Sequence, residues 1–193
     1  MYEIRIHGRG GQGSVATAEL LAIAAFKSGK YSQAFPYLGG GGERRGAPVQ
    51  AFCRIDEKPV ELKCQVRQPD YLIVQDVSLI EIVDIFEGLK KGGTVLINSP
   101  GTPRELGLRA GDFKIYNFPA TEVAMEVLKK PVMNTAMIGA FAAYTGLFDT
   151  GPLKYAIQYK FPGETGMNNV TAMERAFMMV TDSLSGGSVA GET

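Results

Sequence analysis

Tyr2-Glu3-Ile4-Arg5-Ile6 alternates large side chains with charges, a period of two that predicts a short first strand. From Ser14 the residues turn to Ala, Leu, Glu, Ile and Phe, mostly good helix formers, and predict a helix ending near Ser28-Gly29. YSQAFPYL reads as a second strand, and GGGGERRGAP after it is too rich in glycine for anything but a loop. VQAFCRID and PVELKCQV predict two extended segments joined by a turn at Asp56-Glu57-Lys58-Pro59. YLIVQD is a compact apolar run of the kind found in buried parallel strands. Ser78 is a candidate cap for a helix over LIEIVDIFEGL, where apolar residues recur at helical spacing. Lys91-Gly92-Gly93 stops that helix, and TVLINSP returns as another buried strand.

Residues around Gly101 to Asp112 predict a polar loop, followed by a strand at KIYNFPA. A helix starts at Thr121 and ends before Pro131. NTAMIGAFAAYTGLF is apolar nearly all round and predicts a buried helix. Pro152 opens another, to about Lys160; FPGETG predicts a turn and NNVTAMERAFMMVTDSL a last amphipathic helix. Strands alternating with helices give the expected fold class. It is α/β, a doubly wound, Rossmann-like domain with a mainly parallel sheet, helices on both faces and an antiparallel edge from the paired central strands. Residues 1–184 form one domain on this reading, and 185–193 a disordered tail.

Composition narrows the partners. Twenty basic and twenty acidic side chains cancel, so no global field draws nucleic acid or an anionic membrane. No apolar stretch is long enough to span a bilayer, and the N-terminus has no signal-peptide pattern, so the expected location is the cytoplasm. Cys53 and Cys64 stand apart and cannot by themselves hold a zinc or an iron–sulfur cluster; both are expected to be buried, inert thiols.

The candidate chemistry lies in the glycines. Gly8, Gly10 and Gly13 fit G-x-G-x-x-G where a first strand meets a first helix, an arrangement in which backbone N–H groups can receive a phosphate. The same glycines serve equally as a tight turn with close helix–sheet packing. A nicotinamide site would add an acidic residue about twenty positions on. Here that region reads KSGKYSQAF and has none. In the glycine loop, Arg44 and Arg45 are adjacent cations either for an anionic ligand or for solvent and subunit contacts. The sole histidine, His7, ends the first strand and reads as a core residue; Asp70 and Asp76 read as turn or cap residues. No nucleophile elbow or acid–histidine pairing is present, so no catalytic residue is assigned. Met133, Met137, Met173, Met178 and Met179, beside Tyr144 and Phe148, predict core filling and a subunit contact.

IHGRGGQGSVATAELLA together with FPYLGGGGERRGAPVQAFCRID resembles the gamma subunit of the 2-oxoacid:ferredoxin oxidoreductases, of which the pyruvate enzyme is the usual member. PDYLIVQD, GTVLINS, the N-T-x-M-x-G-A helix and the closing N-x-x-A-x-E-x-A-F pattern match as well. The resemblance implies an oxidative decarboxylation of a 2-oxoacid, pyruvate or an aromatic or branched analogue, to acyl-coenzyme A and carbon dioxide. It implies thiamine diphosphate, magnesium and [4Fe–4S] clusters in alpha, beta and ferredoxin-like delta partner subunits, with ferredoxin or another acceptor taking the electrons. Coenzyme A is the implied ligand of this chain. It would meet Gly8, Gly10, Gly11, Gln12, Gly13 and Ser14 at the turn, Arg44 and Arg45 in the loop, and Asn134 at the start of the buried helix. The alternatives are a free-standing nucleotide-dependent reductase and a purely structural subunit.

Overall fold

Six strands form one mixed sheet in a computed structural model that describes residues 1–37, 45–62, 64–108 and 111–187. They are β1 (Tyr2–Arg9), β2 (Tyr31–Tyr37), β3 (Pro48–Asp56), β4 (Tyr71–Val74), β5 (Thr94–Asn98) and β6 (Lys114–Phe118), in the spatial order β2-β3-β1-β4-β5-β6. β1, β4, β5 and β6 run parallel, while β3 pairs antiparallel with both β1 and β2. The α/β class and the antiparallel edge are therefore as expected, but the edge is built differently. The described residues of PVELKCQV form no strand, because β1 and β2 occupy both sides of β3 and leave it no free ladder. Cys64, in that segment, is exposed, whereas Cys53 is buried in β3 with its thiol pushed up to about 12 by desolvation.

One face of the sheet is packed by five helices: α1 (Ser14–Lys27), α2 (Ala120–Leu128), α3 (Asn134–Thr145), α4 (Thr150–Lys160) and α5 (Gly163–Gly187). Ile4, Ile6, Ala51, Cys53, Ile55, Ile73 and Leu96 point into this core. α3 is buried on all sides from Asn134 to Ala142, between the sheet and α5. Its small residues allow the approach: a Cβ on Gly139 would run into the Met173 carbonyl. α5 takes in the GETG predicted as a turn, and it continues through Ser185 to Gly187, past the expected start of the tail; residues 188–193 lie outside the described residues.

The other face has a thinner cover. Leu72, Val74, Val95 and Ile97 pack under Ile85 and Leu89, from the segment predicted as an α-helix. That segment instead makes a 3-10 helix over Val77–Glu81, capped by Asp76 rather than Ser78, and then irregular turns. Buried Arg5 gives the reason. Its Nη2 donates to the carbonyls of Ile85 (2.9 Å) and Glu87 (2.7 Å), the first of which an α-helix over 79–89 would have spent on its own Leu89 N–H.

Candidate functional site

The β1–α1 turn lies beside the carboxyl ends of β4 and β5, the edge where open α/β sheets receive ligands. Gly10 is tied to the returning chain: its N–H donates to the Ala47 carbonyl at 2.8 Å, and its carbonyl accepts from the Gly46 N–H at 3.1 Å. Gly11 and Gly13 take φ of 91° and 77°, left-handed backbone that glycine adopts without a Cβ penalty. Gly13 is the N-cap of α1, which begins with no side-chain cap.

Behind the turn lies a buried network of neutral groups. The Ser14 hydroxyl donates to Gln75 Oε1 at 2.6 Å, and Gln75 Nε2 donates to Thr17 Oγ1 at 2.8 Å. Asn134 Nδ2 donates to Thr17 Oγ1 (2.9 Å), the Gly13 carbonyl (2.7 Å) and the Gln12 carbonyl (3.1 Å). Before the turn, Gln12 Oε1 accepts from the Arg9 N–H and Gln12 Nε2 donates to Asp76, both at 2.8 Å. The Arg9 guanidinium reaches the Gly46 carbonyl, Ser78 Oγ and Asp76, so one cation ties turn, loop and 3-10 helix together. Partial burial pushes the Asp76 carboxyl up; hydrogen bonds from Ser78 and Gln12 and the charge of Arg9 outweigh it and hold the group below its usual range.

A cavity of about 670 Å³ opens against this turn. Gly11, Gln12, Gly13 and Ala16 form one wall, and Gln75, Asp76 and Asn98 come from the ends of β4 and β5. Asn98 joins these ends to α2, donating to the Gln75 carbonyl (2.9 Å) and Thr121 Oγ1 (2.8 Å) and accepting from the Thr121 N–H. Asn134 closes the far side at the start of α3, which, like α1, has no side-chain cap. Two helix N-termini without side-chain caps thus converge on one cavity, where orphan N–H groups favour an anion. No Lys or Arg belongs to its wall among the described residues.

The structure brings together Gly10, Gly11, Gln12, Gly13 and Asn134. The other expected contacts differ. Gly8 lies within β1 beneath the network, where a Cβ would run into Ser14 Oγ and come within 2.7 Å of Gln75 Oε1, so its role is close packing. The Ser14 hydroxyl faces inward to Gln75. Arg45 bridges to Gly10 but is exposed and outside the cavity wall; Arg44 lies outside the described residues. His7 is in the core as expected, its Nε2 accepting from Arg5 Nε at 3.0 Å. Sequence reasoning missed Thr17, Gln75 and Asn98 and the tying role of Arg9. The signal for Gln75 and Asn98 was their place: each ends a buried apolar run at the carboxyl end of a parallel strand. Topology also counts against a nicotinamide site, since antiparallel β3 takes the place beside β1 where a second parallel strand would carry the ribose-binding acid.

Comparison with known proteins gives a consistent picture. Residues 3–179 match the family model described as pyruvate ferredoxin/flavodoxin oxidoreductase. The chain is 51% identical over 177 residues to pyruvate synthase subunit PorC of Methanocaldococcus jannaschii, covering 92% of this chain and 96% of that one. The crystal structure of pyruvate oxidoreductase subunit PORC from Thermotoga maritima superposes with a TM-score of 0.79 at 35% identity, covering 92% of this chain and 95% of that one. A structure of 2-oxoglutarate:ferredoxin oxidoreductase from Magnetococcus marinus, with 2-oxoglutarate, coenzyme A and succinyl-CoA bound, shares the fold with a TM-score of 0.75 at 21% identity. It covers 94% of this chain and 31% of that longer one.

Proposed function

The chain belongs to the pyruvate ferredoxin/flavodoxin oxidoreductase family, and from that premise we propose that it is the coenzyme A-binding gamma subunit of a 2-oxoacid oxidoreductase complex. The observation that carries the proposal is the cavity at the glycine turn, bounded by two helix N-termini without side-chain caps. The coenzyme diphosphate lies against the backbone N–H groups of the turn and of the first turn of α1, as anions do at such ends. Gln12, Ser14 and Asn134 contribute indirectly, because their amides and hydroxyl are engaged in holding the backbone. Among the described residues the one carboxylate in the wall, Asp76, is offset by Arg9 at 3.2 Å.

Among the described residues no group of His, Cys, Asp and Glu comes together that could hold a metal ion. We place magnesium, thiamine diphosphate and the [4Fe–4S] clusters on alpha, beta and ferredoxin-like delta partners, as kinship with this family implies. When bound there, thiamine diphosphate supplies the carbanion stabilisation that decarboxylation of a 2-oxoacid requires. This chain holds the acceptor of the acyl group, and the product is acyl-coenzyme A, with carbon dioxide released and ferredoxin or another acceptor reduced. The choice of 2-oxoacid, pyruvate or a larger analogue, rests with the partner subunits. Met167, Met178 and Leu184, exposed along α5, form an assembly face. No helix among the described residues is long and apolar enough to cross a membrane, and we assign the complex to the cytoplasm.

Titration calorimetry of the assembled complex tests the reading. Ala16→Glu places a carboxylate on the cavity wall in the first turn of α1, and it should weaken coenzyme A at least about tenfold while the subunits stay associated. Unchanged affinity would move the coenzyme elsewhere.

A further inference from the structure

At the other end of the parallel strands, the amino ends of β4, β5 and β6 border a separate cavity of about 310 Å³. Two elements measure its distance from the glycine turn. Thr94 begins β5 at this cavity and Asn98 ends it at the other, about 13 Å away. Asn134 starts α3 at the glycine turn and Thr145 ends it here, about 16 Å on.

Three lysines belong to the wall: Lys90, Lys91 and Lys114. Backbone bonds bring them together. Gly92 takes φ of 75°, and the Gly93 N–H donates to the Lys90 carbonyl at 2.8 Å, so the chain turns tightly before β5. The Lys114 N–H donates to the Gly93 carbonyl at 2.9 Å, and the Gly92 N–H to the Asp112 carbonyl at 2.8 Å, which fixes the start of β6 against that turn. Like charges held this close repel one another unless acids compensate them. Asp70 serves Lys90 alone: its Oδ1 accepts from Lys90 Nζ at 2.9 Å, and its Oδ2 from the Glu3 N–H at 2.8 Å. Lys91 has Asp112 at 3.6 Å, but both side chains are largely exposed, and such a pair offsets little. Among the described residues Lys114 pairs with no carboxylate. The remaining walls are aromatic. Tyr116 stacks on Tyr144 with ring centres 4.2 Å apart, and Tyr2 leans on Tyr71 at 5.9 Å, so packing holds these rings in place.

We propose that this cavity binds a small phosphorylated compound, with its phosphate on Lys91 and Lys114 and its body against the tyrosines. Lysine binds phosphate as a point charge, and two uncompensated ammonium groups match a dianion. The carboxyl end of α3 brings about half a negative charge to the same space, which the two free lysines outweigh. A concave, tyrosine-lined space suits a small molecule rather than the broad face of an acidic protein.

Pyridoxal 5′-phosphate, added in substoichiometric amount to the assembled complex, is the probe. Its phosphate occupies the site while its aldehyde condenses with a neighbouring neutral lysine amine and releases water; borohydride then adds hydride to the imine and fixes the label. Peptide mapping should find Lys90, Lys91 or Lys114 labelled about tenfold ahead of exposed Lys58. Inorganic pyrophosphate should protect them, and saturating coenzyme A should not. Lys114→Met should lower the labelling of Lys90 and Lys91 about tenfold. Labelling no faster than at Lys58, or unmoved by pyrophosphate, would reduce the three lysines to surface charges. Protection by coenzyme A would give the cavity to the coenzyme. Lysines shielded in the complex but reactive after its dissociation would make this end an assembly contact. Each of these results overturns the proposal.

Discussion

β1 anchors two buried polar clusters that solve opposite problems. At its carboxyl end, Ser14, Thr17, Gln75 and Asn134 form a closed set of hydroxyls and amides without a formal charge. On the thin face, Arg5 and His7 form a charged set, in which two carbonyls and an imidazole solvate a guanidinium. The neutral set shapes a backbone turn without adding a charge of its own, so it can stand behind an anion site without competing for the anion. The charged set holds an irregular segment against the sheet, and its strength depends on protonation and on one side chain.

The largest effect follows from that dependence. Arg5→Met leaves the carbonyls of Ile85 and Glu87 and the His7 Nε2 without their donor, each loss costing about 1–3 kcal/mol, partly offset because a buried charge disappears with it. Urea unfolding should show a loss of about 3 kcal/mol. Arg5→Lys should recover little, because an ammonium cannot span the same three acceptors. Coenzyme A affinity of the folded protein should hold, since the neutral cluster is untouched. A loss under about 1 kcal/mol would mean that apolar packing alone holds the segment.

His7 makes the charged cluster sensitive to pH. Burial, and then the neighbouring Arg5 charge, lower its pKa from 6.5 to about 3. Between those values the unfolded chain binds a proton that the folded chain refuses, so stability rises with pH, is complete above about 6.5 and drains away as pH falls toward 3. At pH 5 the deficit is about 2 kcal/mol. His7→Gln keeps an acceptor that does not titrate and should flatten the profile of unfolding midpoint against pH. A wild-type profile already flat from pH 8 to pH 5 would show that His7 takes up its proton in the folded state.

The two clusters also differ in how far they could be read from sequence. The turn announced itself through the G-x-G-x-x-G of Gly8, Gly10 and Gly13, of which Gly13, with neighbouring Gly11, takes a left-handed backbone that few other residues accept, and Asn134 stands at the start of the buried helix as expected. Its supporting partners were not readable, because Gln75 and Thr17 act across long sequence separations with no local pattern. The apolar spacing of LIEIVDIFEGL was real, and its residues do pack on the sheet, but periodicity does not show that a buried arginine will claim the carbonyls. PVELKCQV looked like a strand for the same reason. Strand propensity is local, whereas a free edge beside β3 is a property of the whole sheet.

The smallest effect separates glycines within the turn itself. Gly11 and Gly13 both have positive φ, so an alanine at either costs about 1 kcal/mol in backbone strain. Their surroundings differ. Among the described residues a Cβ at Gly11 meets nothing nearer than Arg45 Cγ at 3.9 Å, an ordinary contact. A Cβ at Gly13 comes within 2.6 Å of Asn134 Nδ2, the atom that holds the Gly13 and Gln12 carbonyls and Thr17. Gly11→Ala should therefore cost only the strain in urea unfolding, whereas Gly13→Ala should cost about 1 kcal/mol more by displacing the amide. Only Gly13→Ala should also let the turn relax, and coenzyme A affinity measured on the same preparations should fall with it. Equal losses from the two substitutions would show that Asn134 yields freely, leaving the turn held by Gly10 and its bonds to Gly46 and Ala47 rather than by the neutral cluster.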